Sequence, residues 1–304
     1  MATILPQVPG TAVAPEGGEI GPVQSGWKLA VREFTRNKLA VTGIAVLVFF
    51  ILFCFVGPDI YHGNTLVSNL LDTNSPPGPG NPLGTNDQGF DNLALIMVGG
   101  QAALEVGFFS ALVSLVIGTL WGAVSGLLGG IVDSVMMRIV DIFLSVPYLF
   151  VVMIVAVRYG ASVLSLSLII GAFTWLVPAR LVRGEVLSLR TRDFVSAARA
   201  AGARSGRLVY KHLIPNAMGV VIVNVTFQVA DAILVIAALG FLGFGLHYPN
   251  EDWGDLLSNG IGYMQDGYWW LIYPVGACIV LVVMACNLVG DGLRDSLDVR
   301  LRRR

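Results

Sequence analysis

The chain has 304 residues, of which 55% are hydrophobic and 13% are charged, and its formal net charge is −1. A soluble domain of this length carries about twice that charged fraction. The composition therefore excludes an ordinary soluble protein, and the net charge gives no indication of a nucleic-acid partner.

The N-terminal region consists of two short segments ahead of the first apolar stretch. Residues 1–25 are rich in Pro and Gly and lack a continuous apolar core, which predicts a disordered cytoplasmic tail rather than a signal peptide. Residues 26–38 contain WKLAVREFTRNK, in which basic and apolar residues are interleaved. This pattern predicts a basic segment that lies along the inner membrane surface.

Six apolar stretches are each close to or above the ~20 residues that a helix needs to cross a bilayer. They are residues 39–56, 106–132, 139–157, 159–179, 217–246 and 267–290. The sequence therefore predicts an all-α membrane protein with six transmembrane helices. The glycine-rich stretch after Ala232 makes the fifth stretch too long for one crossing, which predicts a bend at the outer face.

Nearly all of the 19 Lys and Arg residues lie before the first stretch, between the fourth and fifth, or after the sixth. Basic segments mark the cytoplasmic side of a membrane protein, so both termini are predicted to be cytoplasmic. The predicted organisation is a first transmembrane helix with a large extracytoplasmic loop over 39–101, a core over 102–295, and a basic cytoplasmic tail over 296–304.

Residues that usually carry catalysis or metal binding are sparse. The three cysteines fall in apolar stretches and the three histidines are scattered, so the sequence shows no metal-ligand spacing. It also contains no Gly-x4-Gly-Lys-Ser/Thr motif, so no nucleotide-binding P-loop is predicted. We therefore expect no catalytic residue, no metal site and no bound cofactor on this chain.

Two acids fall within the predicted spans. Asp141 follows Arg138 by three residues, which predicts an i,i+3 ion pair near the inner surface. Asp231 lies in the outer half of the fifth span, where an ionisable group usually faces a bundle interior or a water-filled path. Two interpretations of Asp231 stay open: it lines a substrate path, or it forms a hydrogen bond with a neighbouring helix.

A basic, alanine-rich segment, FVSAARAAGARSGRLVYKHLIPNAMG, separates the fourth and fifth stretches. One helical face is made of small residues and a single aromatic side chain, at spacing i, i+3, i+4 and i+7: Phe194, Ala197, Ala198 and Ala201. Ser196 lies off that face, Gly202 predicts the helix end, and Pro215 predicts the start of the next span. The small face fits either a groove on a partner protein or the chain's own cytoplasmic loops.

The pattern Ser-Ala-Ala-x3-Gly, followed after nine residues by His-Leu-Ile-Pro, resembles the EAA signature of bacterial ABC importer permeases. The resemblance implies that region 190–215 is the coupling region, whose helix docks on a cytoplasmic ATPase. The matching positions are Ala197, Ala198, Gly202 and Pro215, and Phe194 lies on the same helix. Ser196 stands where the family usually has Glu, which removes any salt bridge from this position.

The resemblance covers about residues 26–302 and is to the second permease subunit of the dipeptide, oligopeptide and nickel class. It rests on NPLGTNDQGFDNL in the first outer loop, on GLLGGIVDSVMMRIVDIFLSVP, and on NLVGDGLRDSLDVRLR at the C-terminal end. Phe90 stands where this class has Arg, and Ile236 where it has Glu. Both departures lie toward the external side, which suggests an altered substrate.

The resemblance implies one half of a permease heterodimer in a bacterial inner membrane. The implied partners are a homologous permease subunit, two ATPase subunits or one ATPase used twice, an extracytoplasmic substrate-binding protein and the lipid bilayer. ATP and Mg are then bound by the ATPase subunits, and this chain is not an enzyme. The implied substrates are di- or oligopeptides, with nickel complexes or oligosaccharides as alternatives.

Two other classes of function stay open. A secondary transporter acts alone, and a structural membrane scaffold transports nothing. Only the importer requires separate ATPase subunits for transport, so reconstitution distinguishes the three.

Overall fold

The computed structural model describes residues 26–200, 213–246 and 251–302, and the regular elements in these ranges are helices. The α-helices are α1 (Gly26–Arg36), α2 (Lys38–Phe55), α3 (Gly57–Ile60), α4 (Asn92–Leu128), α5 (Gly130–Leu144), α6 (Tyr148–Tyr159), α7 (Val163–Thr174), α8 (Leu176–Leu189), α9 (Asp193–Ala200), α10 (Ile214–Phe241), α11 (Trp253–Ile261) and α12 (Tyr273–Arg302). Two 3-10 helices, Met264–Asp266 and Trp269–Leu271, lie between α11 and α12. The predicted tail over residues 1–25 and the predicted helix end at Gly202 lie outside the described residues.

Four continuous helical segments are long and apolar enough to cross a membrane: Lys38–Phe55, Asn92–Leu128, Ala217–Phe241 and Trp269–Leu297. Two further spans are each formed by a pair of helices, α5 with α6 and α7 with α8, which are bent by 78° and 44°. The described part of the chain has up to six candidate spans when each bent pair is taken as one, in agreement with the sequence prediction. The second begins earlier than predicted, because α4 starts at Asn92.

Each bend lies at or near a proline, which removes a backbone N–H and breaks the helical hydrogen-bond pattern. Pro147 precedes α6, and the Ser145 hydroxyl donates to the carbonyl of Ile142 at the end of α5. Pro178 has no N–H for the carbonyl of Thr174, and the Gln228 amide of α10 donates to that carbonyl at 3.0 Å. A neighbouring helix therefore satisfies the group that the second proline leaves unpaired.

The loop between α3 and α4 is held by internal hydrogen bonds at one end of the helix bundle, which we call the loop end. The Asp91 carboxylate accepts from the N–H of Ala94 at 2.9 Å, which caps α4, and from the hydroxyl of Tyr61 at 2.5 Å. Burial and this hydrogen bond raise the pKa of Tyr61. Gly89 has φ +76°, and a Cβ there would overlap the backbone of Asn69. These contacts therefore hold the segment NPLGTNDQGFDNL in one backbone conformation where it joins α4.

Trp253 of α11 is fully buried in the apolar core at the loop end, and its indole N–H donates to the carbonyl of Ile96 at 2.9 Å. The preceding Asp252 carboxylate accepts from the N–H groups of Leu246, Gly254 and Asp255. Desolvation raises the pKa of Asp252 to about 6. These contacts fix α11 against α4 and α10.

The helix α10 continues to Phe241, and the chain turns after Leu242, within the glycine-rich stretch that predicts a bend. Two expectations differ from the structure. The predicted pairing of Asp141 with Arg138 is wrong, because Asp141 forms its ion pair with Arg180 of α8.

The second differing expectation concerns Phe90 and Ile236, which are 4% and 0% exposed in the core at the loop end. Both side chains pack within this chain rather than line a surface, so they do not support an altered substrate contact.

Candidate functional site: the α9 segment and the Asp231 face

The helix α9 continues from α8 through a short hydrogen-bonded turn. The N–H of Arg192 donates to the carbonyl of Leu189 at 3.1 Å, and the N–H of Val195 donates to that of Arg192 at 3.0 Å. The Thr191 hydroxyl donates to the carbonyl of Ser188 at 2.9 Å. Because the turn is bonded at each step, α9 is a bent extension of α8.

The two sides of α9 differ in burial. Val195 is fully buried and Ala198 is partly buried against a core cluster, which we call the inner cluster. The buried members of the inner cluster are Ala123, Leu127, Val182, Val186, Leu189, Val195, Leu213, Ala217 and Val221. Ala197 and Ala200 are exposed on the other side of α9. The helix is thus anchored on its own chain through one face and presents small residues on the other.

The predicted coupling residues fall on several parts of this region. Phe194 and Ser196 lie within α9, and Pro215 lies in the first turn of α10, where its missing N–H is not needed. Gly202 lies outside the described residues. Val195 was not among the predicted residues, although an apolar side chain three residues before Ala198 has the helical spacing that indicates a packed face.

Asp231 lies on an exposed face of α10, next to Leu234, which is 47% exposed. Tyr148, the first residue of α6, is close enough to interact electrostatically with Asp231. Within the described parts of the chain, no hydrogen bond to the Asp231 carboxylate is present. The side chain therefore points away from this chain's core, beside the start of the bent span's second half.

Two family models match separate parts of the chain. Residues 118–303 match the family described as "Binding-protein-dependent transport system inner membrane component". Residues 25–77 match the "N-terminal TM domain of oligopeptide transport permease C". Together with the apolar helices, these matches define an integral membrane transport permease. The chain belongs to the family of binding-protein-dependent transport system inner membrane components, whose members are permeases rather than enzymes.

Individual relatives match over nearly their whole length. The oligopeptide transport system permease protein OppC of Escherichia coli K12 is 39% identical, over 91% of this chain and 92% of that protein. OppC of Bacillus subtilis is 37% identical, over 91% and 90%. The dipeptide transport system permease protein DppC of Bacillus subtilis is 35% identical, over 90% and 86%.

A solved structure has a similar fold. A chain of the MetNI methionine ABC transporter, in an inward-facing conformation, aligns with a TM-score of 0.51 and 24% identity. The alignment covers 67% of this chain and 96% of that chain. Together with the family match, this likeness confirms the predicted all-α permease fold.

Proposed function

We propose that this chain is one of the two permease subunits of an ATP-driven importer for di- or oligopeptides. The main support for this proposal is the similarity to oligopeptide and dipeptide permeases along about nine tenths of the chain, at 35–39% identity. The match at residues 25–77 to an N-terminal domain of oligopeptide permeases adds support. Nickel complexes and oligosaccharides are the alternative substrates.

The proposed partners follow from the family's dependence on a binding protein. An extracytoplasmic binding protein delivers the substrate, a homologous permease completes the path, and two ATPase subunits bind ATP and Mg. Basic residues before the first span and after the last favour two cytoplasmic termini in a bacterial inner membrane. Hydrolysis of ATP is then performed by the partners and not by this chain.

The proposed docking site on the ATPase is the exposed side of α9. Ala197 and Ala200 allow close approach of a partner backbone, and Phe194 is proposed to fill a pocket on the ATPase. Ser196 replaces an acid with a short hydroxyl, so the fit is steric rather than ionic. Val195 and Ala198 anchor the helix to the inner cluster, which lets a push on α9 move the spans behind it.

Asp231 is proposed to face the partner permease or the wet path between the two permeases. An ionised carboxylate exposed to lipid at this depth costs several kcal/mol. The described parts of this chain donate no hydrogen bond to it, so water or the partner permease is the expected source of donors.

Reconstitution tests the proposal. The permease pair is placed in proteoliposomes with the ATPase subunits, the binding protein and a radiolabelled tripeptide. We expect peptide uptake only when ATP and both ATPase subunits are present. Uptake without ATPase subunits would identify a stand-alone transporter. Uptake of a nickel complex or an oligosaccharide in place of the peptide would show that the proposed substrate is wrong. If nothing is taken up, the chain would be a structural scaffold.

A further inference from the structure

The helices α4 and α8 contact each other backbone to backbone. Three glycines at every fourth position of α4 face three carbonyl groups that are also four residues apart, at the N-cap and within α8. The pairs are Gly118 with Trp175, Gly122 with Ala179, and Gly126 with Arg183. A Cβ at any of the three would come within about 3.0 Å of the facing carbonyl. This close approach makes α4 and α8 one rigid pair, which we call the α4–α8 unit.

An ion pair attaches α5 to this unit. The Asp133 carboxylate accepts from Nε of Arg183 at 2.5 Å and from Nη2 at 2.6 Å, and the Ser125 hydroxyl donates to it at 2.5 Å. Asp133 is 9% exposed. Two parallel charge-assisted hydrogen bonds fix both distance and orientation. Arg183 therefore contributes its backbone to the contact with α4 and its side chain to the contact with α5.

The helix α5 has few other contacts. One is with α4, where the indole N–H of Trp121 donates to the carbonyl of Met136 at 3.3 Å. Of its residues, all of which the structure describes, only Asp133 and Val140 are buried. Val140 packs beside Trp175 of the α4–α8 unit, and the half-exposed Asp141 pairs with Arg180. Transmembrane helices associate through close packing and interhelical hydrogen bonds, and few side chains of α5 are buried against its neighbours. Its position relative to α8 therefore depends strongly on its polar contacts.

The same unit is continuous with α9. Val195 of α9 packs in the inner cluster with Leu127 of α4 and Val186 of α8, and Nη1 of Arg190 donates to the carbonyl of Gly126 at 3.2 Å. At its far end, α5 leads across the 78° bend into α6, which begins with Tyr148. A displacement of α9 therefore moves α8 and α4 directly.

We propose that Asp133 and Arg183 are positioning residues that transmit movement of α9 to the bent span α5–α6, and so toward the Asp231 face. This inference rests on the proposed function, in which α9 docks on the ATPase. Asp133 touches neither the substrate nor the ATPase in this arrangement; it acts by holding α5 to the α4–α8 unit.

The complete importer in proteoliposomes tests the inference, with Asp133→Asn as the main variant and Ser134→Ala, at an exposed neighbour on α5, as the matched control. We expect ATPase subunits to remain bound and ATP hydrolysis to continue, while tripeptide imported per ATP falls about two- to thirtyfold, the range of single-residue effects on coupling. Asp133→Glu, which keeps the carboxylate, should restore part of the ratio. Ser134→Ala should leave it unchanged.

A purely structural role would lower uptake and hydrolysis in the same proportion, and that result would overturn the inference. Failure of the unmodified complex to couple uptake to hydrolysis would instead contradict the proposed function. If Asp133→Asn does not assemble, spin labels at Ser134 and Ser188, in a complex whose native cysteines are replaced, give a second measurement. We expect the α5–α8 distance to stay constant on ATP binding; a change of about 5 Å, one helical turn, would refute rigid transmission.

Discussion

Substituting Gly122 by Ala tests whether α4 and α8 depend on direct backbone contact. The added Cβ would overlap the carbonyl of Ala179 and lie within 3.0 Å of the backbone nitrogen of Arg183. These are backbone atoms inside a helix and cannot rotate away, so the two helices must separate. Gly184 of α8 is the matched control, because a Cβ there meets no atom within 4 Å.

The two substitutions are expected to change the free energy of unfolding in opposite directions. Ala is favoured over Gly inside a helix by about 1 kcal/mol, so Gly184→Ala should stabilise the chain slightly. At Gly122 the same gain is outweighed by overpacking, which costs about 1–3 kcal/mol. Separating the helices by ~0.5–1 Å also forfeits a quarter to a half of each dispersion contact along the interface. We expect Gly122→Ala to lower the free energy of unfolding by about 2 kcal/mol.

Thermal unfolding of the detergent-purified chain measures this difference. A thiol-reactive fluorophore reports unfolding through Cys54 and Cys286, which are buried in the fold. A gap of ~3 kcal/mol between the two variants corresponds to about 5 °C or more in Tm. Gly118→Ala and Gly126→Ala, with closest approaches of 2.7 and 3.0 Å, should be milder. If Gly122→Ala unfolds no earlier than Gly184→Ala, the backbone contact does not hold the unit together.

Three further substitutions test the proposed sites. Ala197→Arg should prevent co-purification of the ATPase subunits while membrane insertion is unchanged, because it fills the exposed face of α9; retained ATPase would place docking elsewhere. Asp231→Leu should depress peptide uptake more than complex yield, and full uptake would remove Asp231 from the path. Desolvation, with nearby acids adding to it, raises the pKa of Glu251 from 4.5 to about 7, so the folded state binds this proton more tightly than the unfolded chain. Stability should therefore fall as pH rises from about 4.5 to about 7. Glu251→Gln should flatten that slope, and an unchanged profile would contradict the assignment.

The positions of the spans could be predicted because length and composition alone decide which segments cross a membrane. The bends in the third and fourth spans could not, although Pro147 and Pro178 were visible signals. A proline in a span breaks the helix only as far as neighbours can satisfy the freed carbonyl. Here that neighbour is Gln228, 54 residues from Thr174, a separation that no local pattern reveals.

Charge pairing was the least predictable property for the same reason. Local spacing favoured Arg138 as the partner of Asp141, but a residue 39 positions away forms the pair. Asp133 and Arg183 are 50 positions apart and were not singled out at all. An i,i+3 pair on an exposed helix contributes only a few tenths of a kcal/mol, so packing of α5 against α8 decides which charges meet.

Two polar residues of α10, Gln228 and Asp231, lie near the breaks in the two bent spans. Gln228 donates to the carbonyl of Thr174 at the α7–α8 break. Asp231, less than one helical turn further along α10, is within electrostatic range of Tyr148 at the start of α6. Kinks at proline lower the number of backbone hydrogen bonds that resist bending. The two breaks therefore lie near the acid proposed to line the path, and the close backbone contacts of the α4–α8 unit connect to α9. This arrangement concentrates rigidity where force would enter the chain and bending where the path would have to open.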